Sequence, residues 1–161
     1  GIAFAEQMTG QFPNIHYTGI DISVAMKAMA EKLLGETTGG RMQMTFRTSF
    51  QELDDSYWTS VSETPNLVVF NFSYFFSNVD STFTENLANR MVSVMKKNPL
   101  NRYVFFIQHS EHDARIRSFL VFKSILSEYV DKVKAKHSSF SYELGGNTKT
   151  LPFCYEIWRT K

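Results

Sequence analysis

One cysteine, Cys154, stands among the 161 residues. A single thiol excludes an internal disulfide and any zinc cluster built from thiolates, and it suits a reducing interior such as the cytoplasm. A buried place in a strand is the ordinary role for such a residue. No run approaches 18 consecutive apolar residues, and no basic-then-apolar leader opens the chain. The sequence therefore offers neither a membrane-spanning helix nor a signal peptide. Charge of one sign is missing as well: 17 Lys and Arg stand against 16 Asp and Glu, a formal net charge of +1. That balance argues neither for nor against a polyanionic partner. Internal repeats, low-complexity segments and the HExxH zinc spacing are all absent. The chain also begins without Met, on Gly1-Ile2-Ala3-Phe4-Ala5, so we expect the natural protein to carry more N-terminal sequence.

What is present is apolar mass. The hydrophobic share is 43% and the aromatic share 15%, with 15 phenylalanines. This suffices for one globular domain over 1–161 with a sizeable core. Ile2, Ala5 and Met8 lie at helical spacing, and Gly10 is a stop signal. After the Pro13-Asn14 turn, residues 15–20 read as a strand. Ile22, Met26, Met29, Ala30 and Leu33 predict one buried helical face, closed by Gly35 and the Gly39-Gly40 pair. Residues 41–48 alternate Met42, Met44 and Phe46 on one face, a strand of period two. Residues 50–65 are polar and turn-rich, with a helical turn around Tyr57 and Trp58.

Residues 66–72 are a continuous apolar run of the kind buried on both faces of a parallel sheet. The following helix turns Phe83, Leu87, Met91 and Val94 inward and ends at Asn98-Pro99. Tyr103 to Ile107 reads as a second doubly buried strand, with a polar loop over 109–113. Phe119, Phe122, Leu126, Tyr129 and Val133 predict the longest helix. Residues 139–144 and 152–160, either side of Gly145-Gly146, form a hairpin. Strands alternating with helices give an α/β fold, a doubly wound and mostly parallel sheet with a C-terminal antiparallel β-hairpin.

Asp21 ends the first strand 20 positions after Gly1. Nucleotide-binding βαβ units place a carboxylate on ribose hydroxyls at about that distance from a glycine-rich turn. A second role is open to it, as an acid favoured by the dipole of the helix that follows. His109-Ser110-Glu111-His112-Asp113 is the densest polar cluster. His109 or His112 is a candidate general base or substrate contact, or the segment simply caps the helix begun by Asp113. Tyr74, Phe75 and Phe76 either line a substrate pocket or pack their loop. Lys132, Lys134 and Lys136, with Arg115, Arg117 and Lys123, make the predicted long helix basic, as a solvated face or an RNA contact.

The order of elements, ending in a hairpin, resembles the class I S-adenosylmethionine-dependent methyltransferases with the first strand removed. Gly1 matches the last glycine of that family's GxGxG turn, and Tyr17-Thr18-Gly19-Ile20-Asp21-Ile22-Ser23 looks like its second strand and ribose-binding acid. The resemblance implies S-adenosylmethionine as cofactor, bound through Gly1, Asp21, Ile22, Ser49, Phe50 and Asn71. In it Thr48-Ser49-Phe50 occupies the adenine side, and Asn71-Phe72-Ser73-Tyr74 lies near the transferred methyl. That last segment superficially resembles the (Asp/Asn)-Pro-Pro-Tyr box of amino-group methyltransferases, with both prolines replaced by Phe72 and Ser73. Tyr74, His109 and His112 are then candidates to meet a small-molecule, protein or RNA methyl acceptor. No metal is implied. The family's first strand lies between its second and fourth, and losing it leaves roughly five ladder hydrogen bonds unmade on each side, at ~1 kcal/mol each. That cost is why a preceding strand is expected. The alternative is a methyltransferase-like domain without catalysis that serves as a binding or scaffolding module. The terminal hairpin argues against an NAD-dependent enzyme.

Overall fold

A computed structural model describes residues 15–21, 23–38, 42–62, 66–73, 75–110 and 113–161. They fall into two compact units, the first ending at Thr59 and the second running from Ser60 to Lys161. Among the described residues, no helix is long and apolar enough to cross a membrane. The helix expected over 2–10 lies outside them.

In the first unit, β1 (His16–Ile20) and β2 (Gln43–Arg47) pair in parallel, His16 opposite Gln43 and Ile20 opposite Arg47. The helix α1 (Val24–Thr38) connects them. Leu34 and Met42 are buried together, with Ile15, Tyr17, Met44 and Phe46 packed around them. Burial also pushes the Tyr17 phenol above its ordinary pKa. Gly19 sits where Phe46 leaves no room: a Cβ there would lie 2.7 Å from two carbons of the ring. After β2 come a 3-10 turn at Phe50–Glu52 and the helix α2 (Asp55–Ser62). Trp58 is buried and donates its indole N–H to the Leu53 carbonyl at 3.0 Å. The Tyr57 hydroxyl meets Thr18 Oγ1 of β1 at 2.8 Å.

The helix α1 runs on through Gly35 and ends at Thr38, directly before the Gly39-Gly40 pair, so only the Gly35 half of the expected stop fails. Its predicted inner face is wrong, because Met26, Met29 and Leu33 are exposed while the neighbouring Leu34 is buried. Among the described residues the helix faces a two-stranded sheet, and Leu34, packed with Met42, Ile15, Tyr17, Met44 and Phe46, is its fully buried side chain.

The second unit is a four-stranded sheet in the order β3-β4-β6-β5. β3 (Leu67–Ser73) runs parallel to β4 (Arg102–Ser110), and β6 (Asn147–Thr160) is antiparallel to both β4 and β5 (Val130–Leu144). Two helices, α3 (Ser81–Lys97) and α4 (Asp113–Leu126), complete it. Asp80 caps α3, its carboxylate accepting from the Phe83 amide at 2.7 Å. The predicted face is buried at Leu87, Met91 and Val94. Phe122 of α4 touches Phe72 of β3, Phe105 of β4 and Trp158 of β6. One ring thereby ties the helix to three strands. Phe76 packs against both Phe119 and Phe122, so this part of the loop after β3 serves the core.

Three further expectations are corrected. β3 is not buried on both faces: it pairs with β4 alone among the described residues, and only Phe72 of the strand is fully buried. Residues 109–110 belong to β4, not to a polar loop. The helix predicted through Val133 stops at Leu126, and β5 begins at Val130, which leaves α3, at 17 residues, the longest helix among the described residues. Lys132, Lys134 and Lys136 therefore lie on the edge strand of the sheet, with a bulge between Lys132 and Lys134. Lysines on an edge strand discourage pairing with another chain. Gly145 and Gly146 close the hairpin with φ of 60° and 74°, the left-handed geometry of a type I′ turn.

Candidate cofactor-binding site

Open α/β sheets bind ligands beyond the carboxyl ends of their parallel strands. In the first unit that end is built from Asp21 and the loop following Arg47. The Asp21 amide donates to the Arg47 carbonyl at 3.2 Å, continuing the ladder one step past β1. Its carboxylate accepts from the Ser23 amide at 2.8 Å, and Ser23 Oγ accepts in turn from the Met26 amide at 3.3 Å. Asp21 thus sits at the strand-to-helix turn, exposed, with one oxygen fixed by backbone. A carboxylate has about four acceptor positions, so the Ser23 bond orients the group without saturating it.

Thr48, Ser49 and Phe50 lie at the same end, directly after β2. Glu52 organises them. Its Oε1 accepts from the Thr48 hydroxyl, from the Thr48 amide at 3.0 Å and from the Ser49 amide at 3.2 Å. Its Oε2 stands 3.8 Å from Arg47 Nε. The Thr48 hydroxyl, the two amides and the Arg47 guanidinium hold this carboxyl below the usual carboxylate range. Phe50 is half-buried, its ring centroid 6.3 Å from that of Trp58. Glu52 was not among the residues singled out from the sequence, although Ser49-Phe50-Gln51-Glu52 is the S-x-x-E pattern of a capping box.

Asn71 belongs to the second unit. It is exposed near the carboxyl end of β3, and its Oδ1 accepts from Ser73 Oγ at 3.0 Å. His109 is only 4% exposed, its ring stacked on Phe119 at a centroid distance of 4.1 Å. It lies inside, beneath α4. Gly1, Ile22, Tyr74 and His112 fall outside the described residues. Asp21, Ser49 and Phe50 are therefore brought to one end of one parallel pair, while Asn71 and His109 are placed in a different unit.

No protein-family model matches the sequence, and no curated protein is similar to it. Solved structures are. One, assigned as a precorrin-6Y C5,15-methyltransferase targeted domain from Corynebacterium diphtheriae, has 12% identity and a TM-score of 0.50, covering 99% of this chain and 83% of its own. A second, assigned as an RNA methyltransferase from Pyrococcus horikoshii, has 10% identity and a TM-score of 0.50, covering 99% and 80%. A third, precorrin 8W decarboxylase from Methanobacterium thermoautotrophicum, has 11% identity and a TM-score of 0.50, covering 97% and 74%. The fold is that of the class I S-adenosylmethionine-dependent methyltransferases.

Proposed function

We propose that the chain transfers a methyl group from S-adenosylmethionine, with Asp21 accepting from the ribose hydroxyls. The observation that carries this reading is the Asp21 carboxylate itself. It stands at the carboxyl tip of a parallel strand, aligned by the Ser23 amide, level with the loop that follows the neighbouring strand. Two carboxylate oxygens suit a vicinal diol. Ser49 and Phe50, at the same end of the parallel pair, flank the adenine side. The sulfonium cofactor brings its own activated methyl, so the protein needs only to bind, align the acceptor and exclude water. The acceptor is a small molecule, a protein or an RNA.

One observation favours the non-catalytic alternative. The Thr48 and Ser49 amides, at the adenine side, already donate to Glu52 within their own loop. Calorimetric titration of the full-length chain with S-adenosylmethionine separates the two. Binding that weakens about 10- to 100-fold in Asp21→Ala supports the enzyme, since hydrogen bonds to a charged group contribute ~1.5–3 kcal/mol. No heat at millimolar cofactor supports the binding module.

A further inference from the structure

Beneath α4, on the face of the sheet that it covers, three side chains that ordinarily ligate metals converge. His109 of β4 and Cys154 of β6 are register partners, and Glu156 follows two residues along β6, opposite Ile107. All three are buried, and one ligand atom from each lies within 4.8 Å of the others. They form the one such group found among the described residues. We propose that His109, Cys154 and Glu156 bind a single zinc-class divalent ion, clipping β4 to β6 beneath α4.

The donor set carries the chemistry. Imidazole, thiolate and carboxylate together are the ligands of Zn2+, a borderline-soft ion with no redox demand of its own. Zinc bonds of about 2.0–2.3 Å place tetrahedral donors about 3.3–3.8 Å apart. Side-chain adjustments of roughly 1 Å close the present spacing to that range. His137 of β5, the register partner of Cys154 on its other side, is exposed, so a water molecule rather than a second imidazole takes the fourth position.

The surroundings explain why an ion belongs here. A carboxylate under an aromatic layer is costly without a compensating charge. Glu156 has two partners: the Trp158 indole N–H at 2.7 Å and the Lys123 ammonium at 3.4 Å. The Lys123 side chain is 42% exposed, so its ammonium can withdraw to water along its own stem. Lys123 and the ion are thus competitors for one carboxylate. On binding, the Cys154 thiol loses its proton to solvent, the sulfur–metal bond forms, and the ammonium leaves Oε1. Packing alone offers a rival account, in which Cys154 is a small apolar residue, His109 a stacked ring and Glu156 an ion-paired acid. The two accounts disagree about Lys123.

The test uses the full-length chain stripped with a chelator, then titrated with Co2+ and separately with Zn2+. A thiolate-to-cobalt charge-transfer absorption is expected, at one ion per chain, discharged by Zn2+ and missing in Cys154→Ser and in His109→Gln. Zn2+ should raise the unfolding midpoint of the unaltered chain but not of these variants. Lys123→Met should bind Co2+ about tenfold more tightly, because the competing ammonium is gone. Absence of the absorption in the unaltered chain, with no shift of the midpoint, overturns the proposal. So does an absorption that persists in both ligand variants, or a Lys123→Met chain that binds Co2+ no better. None of these readouts depends on cofactor binding or methyl transfer.

Discussion

Gly19 and Glu52 show how much of the first unit rests on single residues. The Phe46 ring occupies the space that a side chain at position 19 would need. Gly19→Ala should therefore cost about 1–3 kcal/mol through overpacking, read as a lower denaturant midpoint. Phe46→Leu in the same chain should recover part of that loss. Glu52 acts through charge. Its folded pKa is depressed by the Thr48 and Ser49 donors and by Arg47. The order it imposes on its loop is therefore present above its unfolded pKa and disappears as pH falls through the folded one. Hydrogen exchange at the Thr48 and Ser49 amides should quicken across that acid range, and Glu52→Gln should remove the dependence on pH. The sequence did contain this loop's logic, in Ser49 and Glu52 three positions apart. The place of Asp21 at the turn from strand to helix was legible too, because strand, glycine and acid follow one another. His109 was not: a histidine in a run of polar residues gives no sign that a helix will cover it.

Elements were legible where one period dominated. Leu87, Met91 and Val94 mark α3 without ambiguity, and its cap at Asp80 should be worth about 1 kcal/mol in an Asp80→Ala comparison. β5 was misread for a physical reason. Phe119, Phe122 and Leu126 set up a helical period that Tyr129 and Val133 happen to continue. Lys134 and Lys136, opposite Ile157 and Tyr155 beyond the bulge, carry the period-two spacing of the strand that wins. Val133 is more than half exposed on the strand, so the apolar residue that extended the helical pattern buries little. Helix α4 instead spends its rings on the sheet. Phe122→Ala should destabilise the second unit by about 3–5 kcal/mol, because the vacated volume borders β3, β4 and β6 together. Thermal unfolding measures it. A loss below 1 kcal/mol would mean that the helix is held elsewhere.

At the scale of the whole chain, the solved structures match this fold over nearly its full length at 10–12% identity. Topology persists at that level because it is set by element order, the reversed last strand and apolar periodicity, which the sequence carries plainly. The site is less legible, since its residues sit at strand ends where periodicity says nothing. Only a spacing and a carboxylate mark Asp21. The central claim is that this carboxylate reads a ribose diol, and a double-mutant cycle tests it most directly. S-adenosylhomocysteine and its 2′-deoxy analogue are titrated into the unaltered chain and into Asp21→Ala. The unaltered chain should bind the analogue about tenfold more weakly, the value of one hydrogen bond to a charged acceptor, whereas Asp21→Ala should bind both ligands alike. If Asp21→Ala keeps the full discrimination between them, the ribose is held by another group and the claim is wrong.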